Sequence, residues 1–522
     1  MARILVPEEL GDAGLDLLRA AGHEVDDRPG MGRDELLSAI EGAAGLIVRS
    51  ATLVDAEMLD AARDLLVVGR AGVGLDNVDV DEATRRGIMV CNAPLSNVVS
   101  AAEHAVTLLL SLLRRVPQAH QALVDGRWER SRWTGTELMG STVGIVGLGR
   151  VGRLVAERVA SFGVHVIGFD PFVSEASGRE IGVAMVSLDE LCARADVVSI
   201  HLPRTPDTVG LFDADRLASM KPTARLVNTA RGGIVDELAL ADALEAGRLA
   251  GAALDVFDVE PTVESPLFGR SDVVVTPHLG ASTAEAQERA ALTIAEQVEL
   301  ALAGEFVPFA VNIGPAGSSE AMRPYLPLGE RLGAFLSALA GGPPDDVEVR
   351  VSGDLADYDR RILVLSVLRG MLGPVVGGPV TFVNADGLAA ERGMLVRDSG
   401  HHDAGEFRNL IEVRGGGRNV AGTLTRSGRQ QRVVGIDDHA VEVPLARHLL
   451  VVRNEDRPGM IGVVGHVLGD GGVNISFMGL GRNARGRNAL MALATDQPVP
   501  VGVLEQLEAT EGIEAVIPVQ LG

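Results

Sequence analysis

Cysteines and aromatic side chains are scarce in this chain. Of 522 residues only Cys91 and Cys192 are cysteines. They lie far apart and without metal-ligand spacing, which excludes a disulfide-stapled scaffold, gives no metal site, and favours a reducing compartment. A basic surplus is also missing: 47 Lys and Arg stand against 71 Asp and Glu, a formal charge of −24. Nucleic acid and anionic membranes are therefore excluded as main partners, since both need cationic patches. No apolar run reaches the ~18 residues of a membrane span. The opening MARILVPEEL enters a strand directly, with no charged leader before an apolar stretch. A cytoplasmic protein is expected. With 46% apolar residues the chain can bury large cores, and its length predicts three or four domains at roughly 150 residues each.

The most informative segment is residues 144–170. Strand Thr142 to Val146 runs into Gly147-Leu148-Gly149-Arg150-Val151-Gly152, then a helix from about Arg153, then strand Val164 to Phe169 ending on Asp170. The first glycine allows a tight turn, the second lets backbone N–H groups approach a pyrophosphate, and the third lets helix pack on strand. Asp170 lies 21 residues past Gly149, where a carboxylate accepts from ribose hydroxyls and repels a 2′-phosphate. The spacing predicts NAD rather than NADP.

Short strands at Arg3 to Val6, Gly45 to Val48, Leu66 to Val68 and Ile88 to Val90 alternate with helical stretches before this motif, as in a parallel α/β unit. After a long helix at Val98 to Leu113, the alternation continues past Asp170 to strand Val273 to Thr276. Helix Ser282 to Gly304 is long enough to return the chain to the first unit. The expected division is 1–97 with 291–314, 98–290 for the dinucleotide, 315–447 as an α+β unit, and 448–522 as a last module. Two doubly wound α/β domains joined by two crossings imply a hinged cleft. The intervening region reads as strands at Val347 to Val351, Val380 to Val383, Leu410 to Val413 and Val433 to Ile436 around a helix near Asp357 to Met371. The last module, from Leu449, reads βαββαβ, a ferredoxin-like pattern.

Three segments close predicted strands, where open α/β sheets place ligands: Asn228 to Gly233, Asp255 to Pro261 and Thr276 to Ala281. His278 suits the base that takes a hydroxyl proton during hydride transfer. Glu260 would orient it and raise its pKa, and Arg231 offers a two-pronged donor to a substrate carboxylate. His201 reads as a structural residue beside the cofactor. Arg49 and Arg70 also lie at the ends of first-domain strands.

These motifs, with Arg70-Ala-Gly-Val-Gly-Leu-Asp-Asn, Gly126-Arg-Trp-Glu-Arg, Gly251-Ala-Ala-Leu-Asp-Val-Phe and Pro277-His-Leu-Gly-Ala-Ser, resemble the D-2-hydroxyacid dehydrogenase family over nearly the whole length. The resemblance is to the long form, with an intervening domain and a C-terminal ACT domain. It implies NAD-dependent oxidation of 3-phospho-D-glycerate to 3-phosphooxypyruvate, the first step of L-serine synthesis, with Arg231, Glu260 and His278 catalytic. The implied cofactor contacts are Val73 through its backbone, Gly147, Gly149, Arg150, Val151, Gly152, Asp170, Thr229, Ala230, Asp255, His278, Gly280 and Ala281. The implied substrate contacts are Arg49, Ser50, Arg70, Arg231, His278 and Arg130, the last reaching into a neighbouring subunit of a tetramer, with Trp128 as a dimer anchor. An ACT domain implies an amino-acid effector, L-serine, at Asn454, Asp456 and Asn474. Two alternatives stay open: a glyoxylate or hydroxypyruvate reductase, and an NADH-sensing regulatory protein.

Overall fold

The computed structural model describes residues 1–313, 321–377, 380–425, 430–482 and 488–521; the expected boundary at 314/315 lies outside them. Four sheets organise the chain. The first is five parallel strands in the spatial order Glu24–Asp27, Arg3–Val6, Gly45–Val48, Val67–Arg70, Met89–Asn92. Its edge strand Glu24–Asp27 is polar and partly exposed, which is why no hydrophobic pattern announces it.

The second sheet has seven parallel strands. Thr142–Val146 sits centrally, flanked by His165–Phe169 and Ala184–Met185 on one side and by Val197–Ile200, Arg225–Asn228, Gly251–Leu254 and Val273–Val275 on the other. This is the doubly wound order, whose switch point falls beside Thr142–Val146. Helix Val98–Arg114 buries Ala102, Ala105, Leu108, Leu109 and Leu112 against this sheet. Helix Ala284–Leu302 returns to the first sheet and lies tightly on it. A Cβ at Gly69 would stand 2.8 Å from the side chains of Ile294 and Val298, and one at Gly14 would stand 2.6 Å from Ala291 O. Close backbone approach of this kind fixes the return crossing, and the chain passes between the two sheets twice.

The third sheet, of six strands, carries three of the four strands expected between 315 and 447. The fourth is corrected: Val380–Val383 is not a strand but a turn entering helix Ala385–Glu391. There Thr381 Oγ1 and Asn384 Oδ1 take up free backbone N–H groups, as turn residues do. Three strands the pattern did not show, Leu395–His401, Arg418–Leu424 and His439–Pro444, complete the sheet, and helix Leu326–Ala340 packs against helix Arg361–Leu372 over it.

The fourth sheet is the expected βαββαβ module, His448–Glu455, Met460–Asp470, Ile475–Arg482, Asn488–Thr495, Val501–Glu508 and Ile513–Gln520, antiparallel throughout. One face packs on its own helices through Leu450, Val452, Val464 and Leu468. The other, through Leu449, Val451, Leu490 and Ala492, joins the core of the third sheet. Among the described residues no helix is long and apolar enough to cross a membrane, and no group of three or more His, Cys, Asp or Glu could hold a metal.

Candidate active site

Parallel strands bring all their C-terminal ends to one edge of a sheet. In the second sheet that edge presents, in spatial order, Asp170, the glycine loop, His201, Asn228 to Arg231, Asp255, and Thr276 to His278. A cleft of about 870 Å³ opens there toward the first sheet. It is lined by Arg49, Ser50, Arg70 and Val73 from one side and by Arg231, Glu260, His278 and Ala281 from the other.

The glycine loop is built as its spacing requires. Gly147 has φ +94°, a Cβ on Gly152 would fall 1.9 Å from Gly147 O, and nothing lies within 4 Å of where a Gly149 Cβ would point. The open approach at Gly149 and the N-terminus of helix Arg150–Ala160 fit a pyrophosphate. That helix begins one turn earlier than expected, so Arg150 and Val151 are its first residues. Asp170 lies across the loop, its Oδ2 accepting from Leu148 N–H at 2.8 Å and its Oδ1 from Phe172 N–H at 2.9 Å. Each oxygen keeps a lone pair for a ribose hydroxyl. Thr229 Oγ1 is buried without a partner at the next strand end but one, an orphan that a bound cofactor would satisfy.

His278 and Glu260 meet directly. His278 Nδ1 lies 2.6 Å from Glu260 Oε2, while Glu260 Oε1 accepts the Phe257 N–H at 2.8 Å. The hydrogen bond to Glu260 holds the His278 pKa above its ordinary value, against burial. Burial pushes the Glu260 pKa up, but the bonds from His278 and Phe257 outweigh it and the carboxyl stays below its ordinary range. Both partners' shifts describe one charged pair. Nε2 of His278 is left free to face a substrate.

Arg231 is aimed by a turn the sequence did not reveal. Buried Asn228 donates from Nδ2 to Arg231 O at 2.9 Å and accepts from Ala230 N–H at 3.1 Å. Gly232 must be glycine, because a Cβ there would sit 1.7 Å from Phe257 O. Arg70 is largely buried, its Nε without a partner; burial lowers its pKa and repulsion from Arg231 adds to this. A buried guanidinium with spare donors is poised for an anion. Arg49 lies alongside, its N–H on Glu8 Oε1.

Two expectations, for Asp255 and for the effector residues, look different in three dimensions, whereas His201 is as expected. Asp255 is fully buried, its carboxylate occupied by Thr276 Oγ1 and the N–H groups of Leu279 and Gly280. It stands behind the cleft wall instead of lining it. His201 bonds Ser199 at 2.9 Å, and burial depresses its pKa to about 4, as a structural histidine requires. Asn454 and Asp456 sit at one end of the fourth sheet and Asn474 at the other. Asp456 pairs with Arg482 at 3.0 Å, and Asn474 with Asp496 at 2.6 Å. Seven residues of strand at ~3.3 Å each separate these ends, roughly 23 Å, so one chain does not bring the three together. Asn454 is moreover buried, turned onto Glu455 O.

Arg130 and Trp128 lie outside the cleft. Arg130 is exposed and Trp128 is 81% exposed, with Leu123, Val124 and Met139 exposed nearby in sequence.

Comparisons with known proteins give the chain's family. Residues 106–280 match the D-isomer specific 2-hydroxyacid dehydrogenase, NAD binding domain, and residues 321–437 match the D-3-phosphoglycerate dehydrogenase intervening domain. D-3-phosphoglycerate dehydrogenase of Mycobacterium bovis is 47% identical over 513 residues, 97% of each chain. Its counterpart in Synechocystis is 39% identical over all of this chain and 95% of its own. Among solved structures, NAD-dependent formate dehydrogenase from Staphylococcus aureus in complex with NAD superposes with TM-score 0.52 at 34% identity, over 57% of this chain and 95% of its own. A glyoxylate reductase from Paecilomyes thermophila gives 0.54 at 29%, over 59% and 98%. The chain belongs to the D-3-phosphoglycerate dehydrogenase family, within the NAD-dependent D-isomer specific 2-hydroxyacid dehydrogenases.

Proposed function

We propose that the cleft oxidises 3-phospho-D-glycerate at C2, with His278 as base, Glu260 as its partner and Arg231 as the carboxylate holder. The observation that carries this reading is the His278–Glu260 pair facing Arg231 and Arg70 in one cleft. The relatives' shared name supplies the substrate, and the cations Arg49 and Arg70 give its phosphate a place to dock. Nε2 of His278 takes the hydroxyl proton. Glu260 stabilises the imidazolium that results, so the proton is held at the ring. Arg231 fixes the carboxylate, and thereby the face that C2 presents. The glycine loop, Asp170, Thr229 and the backbone near Val73 and Ala281 would hold NAD, which when bound accepts the C2 hydride. Asp255 and Gly280 support that site from behind. A steady-state assay with 3-phosphoglycerate and NAD tests the reading; a His278→Ala protein that is folded and fully active would overturn it.

The chain's length favours this function over a reductase of glyoxylate type, which covers 59% of this chain with 98% of its own, whereas the D-3-phosphoglycerate dehydrogenases match it nearly throughout. We divide the chain as 1–97 with 291–314, 98–290, 315–447 and 448–522. L-serine is the proposed effector. Because Asp456 and Asn474 lie at opposite ends of one sheet, its site would be completed by a second copy of the chain. Exposed Trp128 and Arg130 fit a further contact between subunits, with Arg130 entering the neighbour's cleft and a tetramer as the assembly. Two free, buried cysteines suit a reducing cytoplasm.

A further inference from the structure

Arg231 is gripped from both sides of the cleft. On its own side, Nη1 donates to Ala230 O at 2.7 Å. Across the cleft, Asp76 Oδ2 stands 3.5 Å from Arg231 Nε. Asp76 belongs to the loop that follows strand Val67–Arg70 of the first sheet, so this ion pair joins the two halves of the cleft. A guanidinium offers five N–H groups in a fixed plane. With Ala230 O taking one hydrogen of Nη1 and Asp76 beside Nε, the second Nη1 hydrogen and Nη2 remain to meet a carboxylate.

Two further features support the arrangement. Gly74 makes room for it, because a Cβ there would stand 2.7 Å from both Arg231 Nη2 and Asp76 Oδ2. Asp76 also offsets, at Arg70, the repulsion that Arg231 exerts, so one carboxylate serves two cations facing the same anionic substrate. The pair is too exposed to add much to stability, with 67% of the Asp76 side chain open to solvent. Its effect is on direction.

We propose that Asp76 is a positioning residue for Arg231. From the substrate side of the cleft it turns the guanidinium so that its remaining donors meet the substrate carboxylate. The proposal rests on Arg231 as the carboxylate holder. A carboxylate that merely occupied the substrate's place would have the opposite effect, since its removal would free Arg231 for substrate.

The test is steady-state kinetics of full-length Asp76→Ala, Asp76→Asn and Asp76→Glu proteins, with 3-phosphoglycerate and NAD varied separately. Asp76→Ala is expected to raise KM for 3-phosphoglycerate about tenfold while kcat changes less than about threefold and KM for NAD less than about twofold. Asp76→Asn keeps an acceptor for Nε–H and should fall between, and Asp76→Glu should recover part of the loss. Asp76→Asn is nearly isosteric and carries the test if the alanine protein does not fold. An unchanged or lowered KM for 3-phosphoglycerate, or equal rises in both KM values, overturns the proposal. A wild type inactive on 3-phosphoglycerate removes the reading beneath it, whereas an active wild type with indifferent Asp76 variants removes this proposal alone.

Discussion

Asp255 holds His278 without touching its ring. The Asp255 carbonyl accepts the His278 N–H at 2.8 Å, and the carboxylate behind it binds the next two N–H groups, of Leu279 and Gly280, at 2.7 and 2.9 Å. His278 is thereby kept at φ +56°, a left-handed conformation that costs a non-glycine residue of order 1–3 kcal/mol unless its surroundings impose it.

Replacing Asp255 by Asn should therefore damage a site it does not line. The amide would turn an NH2 toward backbone donors, at a cost of about 1–3 kcal/mol. Displacement of His278 should lower kcat about 100-fold. Thermal unfolding and kcat together check this, and normal turnover in a folded protein would show that the loop holds itself.

The pH profile follows from the Glu260–His278 pair. Oxidation needs neutral His278, and Glu260 raises its pKa, so kcat/KM should fall as pH drops through a value above the ordinary 6.5. Reduction needs the imidazolium and should persist up to the same value. Glu260→Gln should move both limbs to lower pH and reduce kcat roughly 10- to 100-fold. His201, pushed to about 4, should add no step in that range.

Cofactor choice should depend on Asp170. Asp170→Ala removes both the ribose acceptor and the charge opposed to a 2′-phosphate. It should raise KM for NAD at least about tenfold and shift the NAD-to-NADP ratio of kcat/KM by about 100-fold, as read from parallel assays. An unchanged ratio would place the ribose elsewhere.

Gly152→Ala tests the loop sterically. A Cβ placed 1.9 Å from Gly147 O forces the loop apart, costing about 1–3 kcal/mol. The protein should also lose the rise in melting temperature that saturating NAD gives the wild type.

Assembly should depend on Trp128. Trp128→Ser is expected to yield a smaller species in sedimentation, and Arg130→Ala to raise KM for 3-phosphoglycerate without changing mass. A tetrameric Trp128→Ser protein would exclude that surface as a subunit contact.

The dinucleotide half was legible because its strands are buried on both faces and its glycines are fixed by contacts one turn away. Arg231, Glu260 and His278 could be expected together because each follows an apolar strand within a few residues, and all three line one cleft. What stayed hidden was held by contacts distant in sequence or masked by composition. Strand Glu24–Asp27 is too polar to show a period. Val380–Val383 is apolar enough to mimic a strand, although Thr381 and Asn384 cap it as a turn. Asp255 entered as a cofactor contact through the family resemblance, yet its carboxylate's partners lie 21 to 25 residues on. Asp76 lay in plain view within Arg70 to Asn77, but only the cleft shows that it faces Arg231.

The core under the first sheet continues without a break through Leu332 and Phe335 beneath the third and Leu449 and Val451 of the fourth, while the dinucleotide sheet keeps two cores of its own. The C-terminal module and the strands bearing Arg49 and Arg70 should melt together, so a ligand that stiffens the far end acts on the unit that holds the substrate's cations.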